Sequence, residues 1–179
     1  NPHLNPFEEF QRYKQHPVIS QYLSNGKRIS YGARAIAKGG LNSLPKMSFN
    51  GGLLIGCDAG TLNGAKIKGN HTAMKSGMLA AETLFNAISD ADEGGQDLTA
   101  FADAIKNSWL YDELYRSRNF SAAMHKFGTF WGGAFNTLEQ NWFGGKFPFT
   151  LKDNSLDYAE LKLASEAPVI NYPKPDNVL

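Results

Sequence analysis

Gly52-Leu53-Leu54-Ile55-Gly56-Cys57-Asp58-Ala59-Gly60, then Gly64, then Gly69-Asn70-His71-Thr72-Ala73-Met74-Lys75-Ser76-Gly77, is the stretch on which the fold of this chain turns. Leu53 to Ile55 is a short unbroken apolar run between glycines, the pattern of a strand buried on both faces of a parallel sheet. Beyond Gly69 the period changes. Met74, Met78, Ala81, Leu84, Phe85 and Ile88 recur at helical spacing, which predicts a helix with one apolar stripe, and Asn70 or His71 is suited to cap it. Strand, glycine-rich loop and helix in this order bring backbone N–H groups to the carboxyl edge of a sheet, at the positive end of a helix dipole. Phosphates, carboxylates and flavin carbonyl oxygens all match such a place. Glycines also serve strand-to-helix turns simply by allowing tight packing, and spacing alone leaves both readings open.

Toward the start of the chain, Asn5-Pro6 is a helix-start signal, Phe7, Phe10, Gln11 and Lys14 keep helical spacing, and His16-Pro17 limits that helix. Ile29 to Lys38 reads as a short strand or loop followed by a helical turn, closed by Gly39-Gly40. Pro45 to Phe49 reads as extended, and Asn50-Gly51-Gly52 as a turn. In the other direction, residues 89–97 form a polar, acidic linker, and Asp97 is placed to cap a helix carrying Leu98, Phe101, Ala102, Ile105 and Trp109. Phe120 to Phe149 then holds seven of the twelve phenylalanines and two of the three tryptophans, with only Lys126, Glu139 and Lys146 formally charged. The tail after Ala164 carries Pro168, Pro173 and Pro175, so an extended connection to a neighbouring domain is expected. The pattern predicts an α/β chain, or an α+β piece of one, with helices added to it.

Composition narrows the partners. The 179 residues, 42% of them hydrophobic, suffice for the core of one ordinary domain. Eighteen basic against seventeen acidic side chains leave a formal charge of +1, too balanced for a protein that grips a phosphate backbone, so no nucleic-acid partner is expected. The single cysteine, Cys57, excludes an internal disulfide and an iron-sulfur cluster held by about four thiolates of this chain. No apolar run approaches the roughly 18 residues of a membrane-spanning helix, so any membrane contact is expected to be superficial. The opening Asn1-Pro2-His3-Leu4-Asn5-Pro6, without methionine or a signal pattern, reads as a piece of a longer protein.

The glycine segment resembles the second FAD-binding motif of the electron transfer flavoprotein-ubiquinone oxidoreductase family, through Gly51 to Gly60 and Lys66-Ile67-Lys68-Gly69-Asn70-His71-Thr72-Ala73-Met74-Lys75-Ser76-Gly77. Pro6-Phe7-Glu8-Glu9-Phe10-Gln11-Arg12, Gly26-Lys27-Arg28-Ile29, Tyr31-Gly32-Ala33-Arg34-Ala35, Gly39-Gly40-Leu41-Asn42-Ser43-Leu44-Pro45-Lys46 and Tyr172-Pro173-Lys174-Pro175-Asp176 extend the resemblance over essentially the whole chain. It implies an FAD/NAD(P)-binding flavoprotein fold within a three-part protein: an FAD domain, a quinone-binding domain and a ferredoxin-like domain with one iron-sulfur cluster. It also implies a membrane-associated oxidoreductase that passes electrons from reduced electron transfer flavoprotein through FAD and the cluster to ubiquinone. With no Gly-x-Gly-x-x-Gly present, the first FAD fingerprint is expected upstream and the cluster cysteines downstream. The chain then divides into a connecting segment at 1–50, the second FAD strand-loop-helix at 51–90, a helical region at 97–164 with a membrane-associated aromatic helix at 120–149, and a linker at 165–179.

Carried over by position, the resemblance implies that Gly56, Cys57, Asp58 and Gly60 approach the ribityl chain of FAD. In the wider flavoprotein pattern an aspartate bonds that chain; here its place holds Cys57, and the acid follows at Asp58. Gly69 and Asn70 open the helix whose amides would meet the pyrimidine edge of the flavin, where negative charge grows on reduction. Thr72 and Asn42 are placed to donate hydrogen bonds to the isoalloxazine; equally, Thr72 belongs to a first helical turn and Asn42 to an ordinary turn. Cys57 reads as packing, since cysteine behaves as a small hydrophobe. His71 reads as a cap or a flavin-side polar contact. No catalytic side chain and no metal ligand is expected, and this segment alone is expected to hold FAD poorly.

For the aromatic stretch, Phe127, Phe130, Trp131, Ala134, Phe135, Leu138 and Trp142 follow helical spacing while Gly128, Gly132 and Gly133 thin the opposite face. A core helix and an interfacial helix flanked by Lys126 and Lys146 both satisfy this pattern. The family resemblance favours the interface, on the inner (cytoplasmic) membrane of a bacterium or the matrix side of the mitochondrial inner membrane. Two rivals differ in class. One is an FAD-dependent reductase of the geranylgeranyl reductase type, which shares the glycine turn; the other is a non-enzymatic docking module using its aromatic helix.

Overall fold

A computed structural model describes residues 3–90, 98–154 and 156–174. It divides the chain into two compact units, residues 1–34 with 154–179 and residues 35–153.

In the first unit, helix α1 (Pro6–Lys14) starts where Asn5-Pro6 predicts. The Asn5 side chain accepts the amides of Phe7 and Glu8, Glu8 and Glu9 sit at the positive end of the helix, and Arg12 and Lys14 sit at the negative end. A second helix, α2 (Pro17–Leu23), follows with His16 as its cap, an element the spacing did not reveal. Residues 26–40 carry no regular element, so neither the strand nor the helical turn expected at Ile29–Lys38 forms. Tyr172 closes the unit: its hydroxyl donates to Glu9 at 2.9 Å and accepts the Asn5 amide at 3.3 Å. Pro175 and Asp176 of the predicted exit motif lie outside the described residues.

The second unit is mainly helical. Strands β1 (Ser48–Phe49) and β2 (Gly52–Leu53) form an antiparallel hairpin about the Asn50-Gly51 turn, with Ser48 opposite Leu53 and Phe49 opposite Gly52. This corrects the expectation of a parallel, doubly buried strand at Leu53–Ile55. Only Leu53 of those three is in a strand, its neighbour is the preceding segment, and Ile55 is exposed. An apolar run this short does not encode which side its hydrogen-bonding partner comes from. The described residues therefore show a mixed chain with a small two-stranded sheet, of α+β character.

Helix α3 (Asn70–Asp90) is the spine. It packs on α4 (Thr99–Lys106), α5 (Trp109–Arg116) and the glycine turn before it. The core consists of Leu79 and Ala80 from α3, Phe101 and Ile105 from α4, Leu110 and Leu114 from α5, with Met47 and Ala59. Each fully buried large side chain here contributes about 1.5–3 kcal/mol. The predicted helix is present, but its apolar stripe is not the face that covers the core. Thr72, Ser76, Leu79 and Ala80 point inward, whereas Met74, Met78, Phe85 and Ile88 are more than half exposed. The single helix expected from Leu98 to Trp109 is two, separated at Asn107-Ser108, with Trp109 half exposed. Most of the acidic linker and its Asp97 cap lie outside the described residues.

Helix α6 (Phe120–Trp142) is broken at Gly128, whose φ of 71° and ψ of −176° no helix contains. The second half folds back on the first. A Cβ added to Gly132 would stand 2.6 Å from the Ala123 carbonyl oxygen, and the Asn136 amide donates to the Phe120 carbonyl at 3.0 Å. Gly132 thus allows two helix backbones to touch, which no larger residue permits.

Candidate cofactor site

The glycine turn and the start of α3 form one rigid corner. Gly56–Ala59 makes a single 3-10 turn, entered at Gly56 with φ +64° and left at Gly60 with φ +85°. For other residues that backbone costs about 1–2 kcal/mol per position. The Gly60 amide donates to the Cys57 carbonyl at 3.0 Å and the Thr61 amide to the Gly56 carbonyl at 3.2 Å. Ser76, one face of α3 away, accepts the Gly56 amide on its hydroxyl at 2.9 Å and pins the turn to the helix.

Asn70 is the first helical residue. The Gly69 carbonyl accepts the Ala73 amide at 2.8 Å, so Gly69, rather than Asn70 or His71, occupies the cap position. Gly69 is required for a second reason: a Cβ there would lie 3.0 Å from Cys57 Sγ. Cys57 therefore packs against the helix start. Thr72 is fully buried, and its hydroxyl donates to the Gly69 carbonyl at 2.9 Å.

Of the predicted site residues, the structure brings Gly56, Cys57, Gly60, Gly69, Asn70 and Thr72 together at this corner. Asp58 is on the same turn but faces solvent. Asn42 lies on a neighbouring 3-10 turn, Leu41–Ser43, tied to the corner through the Gly40 amide, which donates to the Gly60 carbonyl at 3.1 Å. Its side-chain amide donates to the Arg118 carbonyl at 2.9 Å. Two observations fit a bound polar group here. The positive-φ glycines keep side chains off the approach to the turn, and the buried Thr61 hydroxyl has no hydrogen-bond partner.

The loop from Asn63 to Lys68 closes with a pair of backbone hydrogen bonds between those two residues. Asn63 Oδ1 accepts the amides of Ala65 and Lys66, and Ile67 takes φ +53° while 80% exposed. A β-branched residue in that region is strained. Glu113 of α5 secures the loop from below. Its carboxylate accepts Asn63 Nδ2 at 2.9 Å, Lys66 Nζ at 2.9 Å and His71 Nε2 at 2.7 Å, while the His71 ring stacks on Trp109 at 5.9 Å between centroids. Burial alone would raise the Glu113 pKa, but the hydrogen bonds from Lys66, His71 and Asn63 outweigh it and bring it down to about 2. A pocket of about 450 Å³ opens beside this cluster, with Lys66, Trp109, Glu113, Arg116 and Gln140 in its wall.

The aromatic region is organised by residues the sequence reading passed over. Arg118 is buried, lies over the Tyr115 ring at 3.8 Å, and donates to the carbonyls of Tyr115, Gly145, Phe147 and Phe149 and to the Thr150 hydroxyl. Asn119 donates to Glu139 at 2.6 Å and accepts the Leu151 amide at 2.7 Å. Glu139 is completely buried, its second oxygen has no partner, and burial pushes its pKa up. Inside this frame Phe135, Phe143, Phe147 and Phe149 cluster. Outside it Phe130, Trp131 and Trp142 are 77%, 70% and 80% exposed, with Phe127 partly so. Nothing in local spacing marks Glu113, Arg118, Asn119 or Glu139, because, apart from Tyr115, these partners of their side chains are 20 to 50 residues distant. No helix among the described residues is long and apolar enough to cross a membrane.

Comparison with known proteins covers the whole chain. A family model described as ETF-QO, ubiquinone-binding, matches residues 1–36. Electron transfer flavoprotein-ubiquinone oxidoreductase of Pseudomonas aeruginosa is 69% identical over 179 residues, 100% of this chain and 32% of that protein. The protein of Acinetobacter baylyi named as a probable member is 56% identical, and the mitochondrial protein of Bos taurus 49% identical over 98% of this chain and 29% of its own length. The chain thus spans about a third of the length of the curated relatives it matches.

Proposed function

Because the chain belongs to the electron transfer flavoprotein-ubiquinone oxidoreductase family, of which it covers about a third, we propose that it supplies the second FAD-binding corner and part of the quinone side of an enzyme that passes electrons from reduced electron transfer flavoprotein to ubiquinone. The observation that carries this reading is the coincidence of the paired positive-φ glycines with the start of α3, in a chain similar to these oxidoreductases from end to end.

FAD supplies the electron-transfer chemistry when bound, and an iron-sulfur cluster is assigned to another part of the protein, since this chain has one cysteine. The residues here bind and orient. Gly56, Cys57, Asp58 and Gly60 line the approach to the ribityl chain. Gly69, Asn70 and Thr72 present first-turn amides of α3, which lack intrahelical acceptors and favour an oxygen bearing negative charge. Asn42 borders the ring from the neighbouring turn. The supporting fold is the FAD/NAD(P)-binding flavoprotein type, with 51–90 as its strand-loop-helix element and 165–179 as the link to a ferredoxin-like domain. Residues 1–50 connect the FAD corner to the quinone side, consistent with the family match at 1–36.

The 120–149 hairpin rests on a lipid surface in this reading, in a bacterial inner membrane or the mitochondrial inner membrane. Its support is the row of exposed Phe130, Trp131 and Trp142 beside Lys126 and Lys146, the composition of an interfacial element. The test is reduction of a quinone analogue by the full-length protein supplied with reduced electron transfer flavoprotein. Turnover that persists without the ferredoxin-like region would remove the cluster from the route, and absence of turnover would remove the activity.

A further inference from the structure

Glu113 lies on α5, outside every motif of the flavoprotein resemblance, yet it collects donors from three points of the glycine loop and the helix beyond it. Its Oε1 takes both Asn63 and His71, and its Oε2 takes Lys66. Asn63 already shapes the loop by accepting two of its backbone amides, so the carboxylate holds a residue that in turn holds the chain. His71 is the second residue of α3, and its ring is fixed on the other side by Trp109, with the two planes 3° apart. The start of α3 is thereby tied at two points, its first turn by His71 to Glu113 and its second by Ser76 to Gly56. Its amides have a direction only as good as those ties.

We propose that Glu113 is a positioning residue of the cofactor corner: through Asn63 and His71 it holds the first turn of α3 in the orientation in which its amides meet the electron-rich edge of the flavin. This rests on the flavin reading above. A carboxylate near a flavin has a second route of influence, its own field, and the two routes differ in sign. Reduction adds negative charge to the ring. Removing a nearby carboxylate charge would ease reduction and raise the potential, whereas slackening amides aimed at that charge makes reduction harder and lowers it.

The experiment is a spectroelectrochemical titration of the FAD-loaded full-length protein as wild type, Glu113→Ala, Glu113→Asp and Lys66→Met, with flavin retention read from visible absorbance after desalting. Glu113→Ala, which removes the oxygen that holds both Asn63 and His71, is expected to lower the flavin midpoint potential and release FAD several-fold faster. Glu113→Asp keeps the charge but withdraws it by one methylene, and is expected to behave like Glu113→Ala. Lys66→Met, which leaves Asn63 and His71 bound, is expected to shift both readouts least. A raised potential in Glu113→Ala, or an aspartate variant indistinguishable from wild type, overturns the proposal. A wild-type protein that takes up no flavin overturns the underlying reading and this inference with it; a flavin-loaded wild type whose variants all match it overturns the inference alone.

Discussion

Two glutamates, Glu113 under the glycine corner and Glu139 inside the aromatic hairpin, meet opposite surroundings. Glu113 takes its donors from the Asn63–Lys68 loop and the start of α3, and Glu139 takes its donor from Asn119, the residue before α6. Glu113 receives three side-chain donors, two of them basic, and its pKa falls to about 2. Glu139 receives one donor from Asn119, keeps an unpartnered oxygen, and has its pKa raised by burial. The Arg118 guanidinium beside it is committed to backbone carbonyls and Thr150 rather than to the carboxylate. A buried carboxylate stabilises a fold only when donors replace the water it lost. The glycine corner is therefore held by charge, and the hairpin by an arginine that binds the main chain.

The largest test of that contrast is Arg118→Ala. It strips donors from four carbonyls at once and should destabilise residues 116–151 by about 3–5 kcal/mol, read as early loss of near-ultraviolet signal from the aromatic cluster and early proteolysis there. Next comes Glu113→Ala, which leaves Lys66 and His71 without their acceptor and should cost about 2–3 kcal/mol. Its pH dependence follows from the sign of the shift. With a folded pKa below the ordinary value of 4.5, Glu113 contributes full stability above about pH 4.5 and loses it as pH falls toward 2, so wild type and Glu113→Ala should converge in thermal midpoint over that window. Glu139 should do the reverse. Its penalty is absent below about pH 4.5 and grows as pH rises through the raised folded pKa, so Glu139→Gln should gain about 1 kcal/mol at pH 7 to 8 and nothing at pH 4. Equal and same-signed effects of Glu113→Ala and Glu139→Gln would erase the comparison. The smallest effect is expected at the exposed Ile67, where Ile67→Asn should relieve about 1 kcal/mol of left-handed backbone strain without altering either carboxylate, seen as a slight rise in thermal midpoint.

How the sequence relates to these results differs by element. The helix at Asn5-Pro6 and the helix after Gly69 were legible because caps and 3.6-residue periodicity are local. The strand at Leu53–Ile55 was misread because a run of three apolar residues carries no information on whether its partner arrives parallel or antiparallel. The apolar stripe on α3 is legible as a stripe, but spacing alone does not say whether it covers the core. Met74, Met78, Phe85 and Ile88 face outward, and Thr72 and Ser76 face inward because their hydroxyls find the Gly69 carbonyl and the Gly56 amide. A polar residue is at home inside when a backbone partner waits there, and sequence does not show the partner.

By itself the sequence determined the glycine positions that the corner requires, the residues that meet there, the aromatic enrichment of 120–149 and the family to which the chain belongs. Only the tertiary structure decided that the aromatic helix reverses at Gly128, which face of α3 is covered, and that Glu113, Arg118, Asn119 and Glu139 hold the two regions. The physical reason is range. Backbone conformation and capping act within a turn or two of the chain, whereas a carboxylate's pKa and a guanidinium's carbonyl partners are set by groups brought together across tens of residues by the packed core.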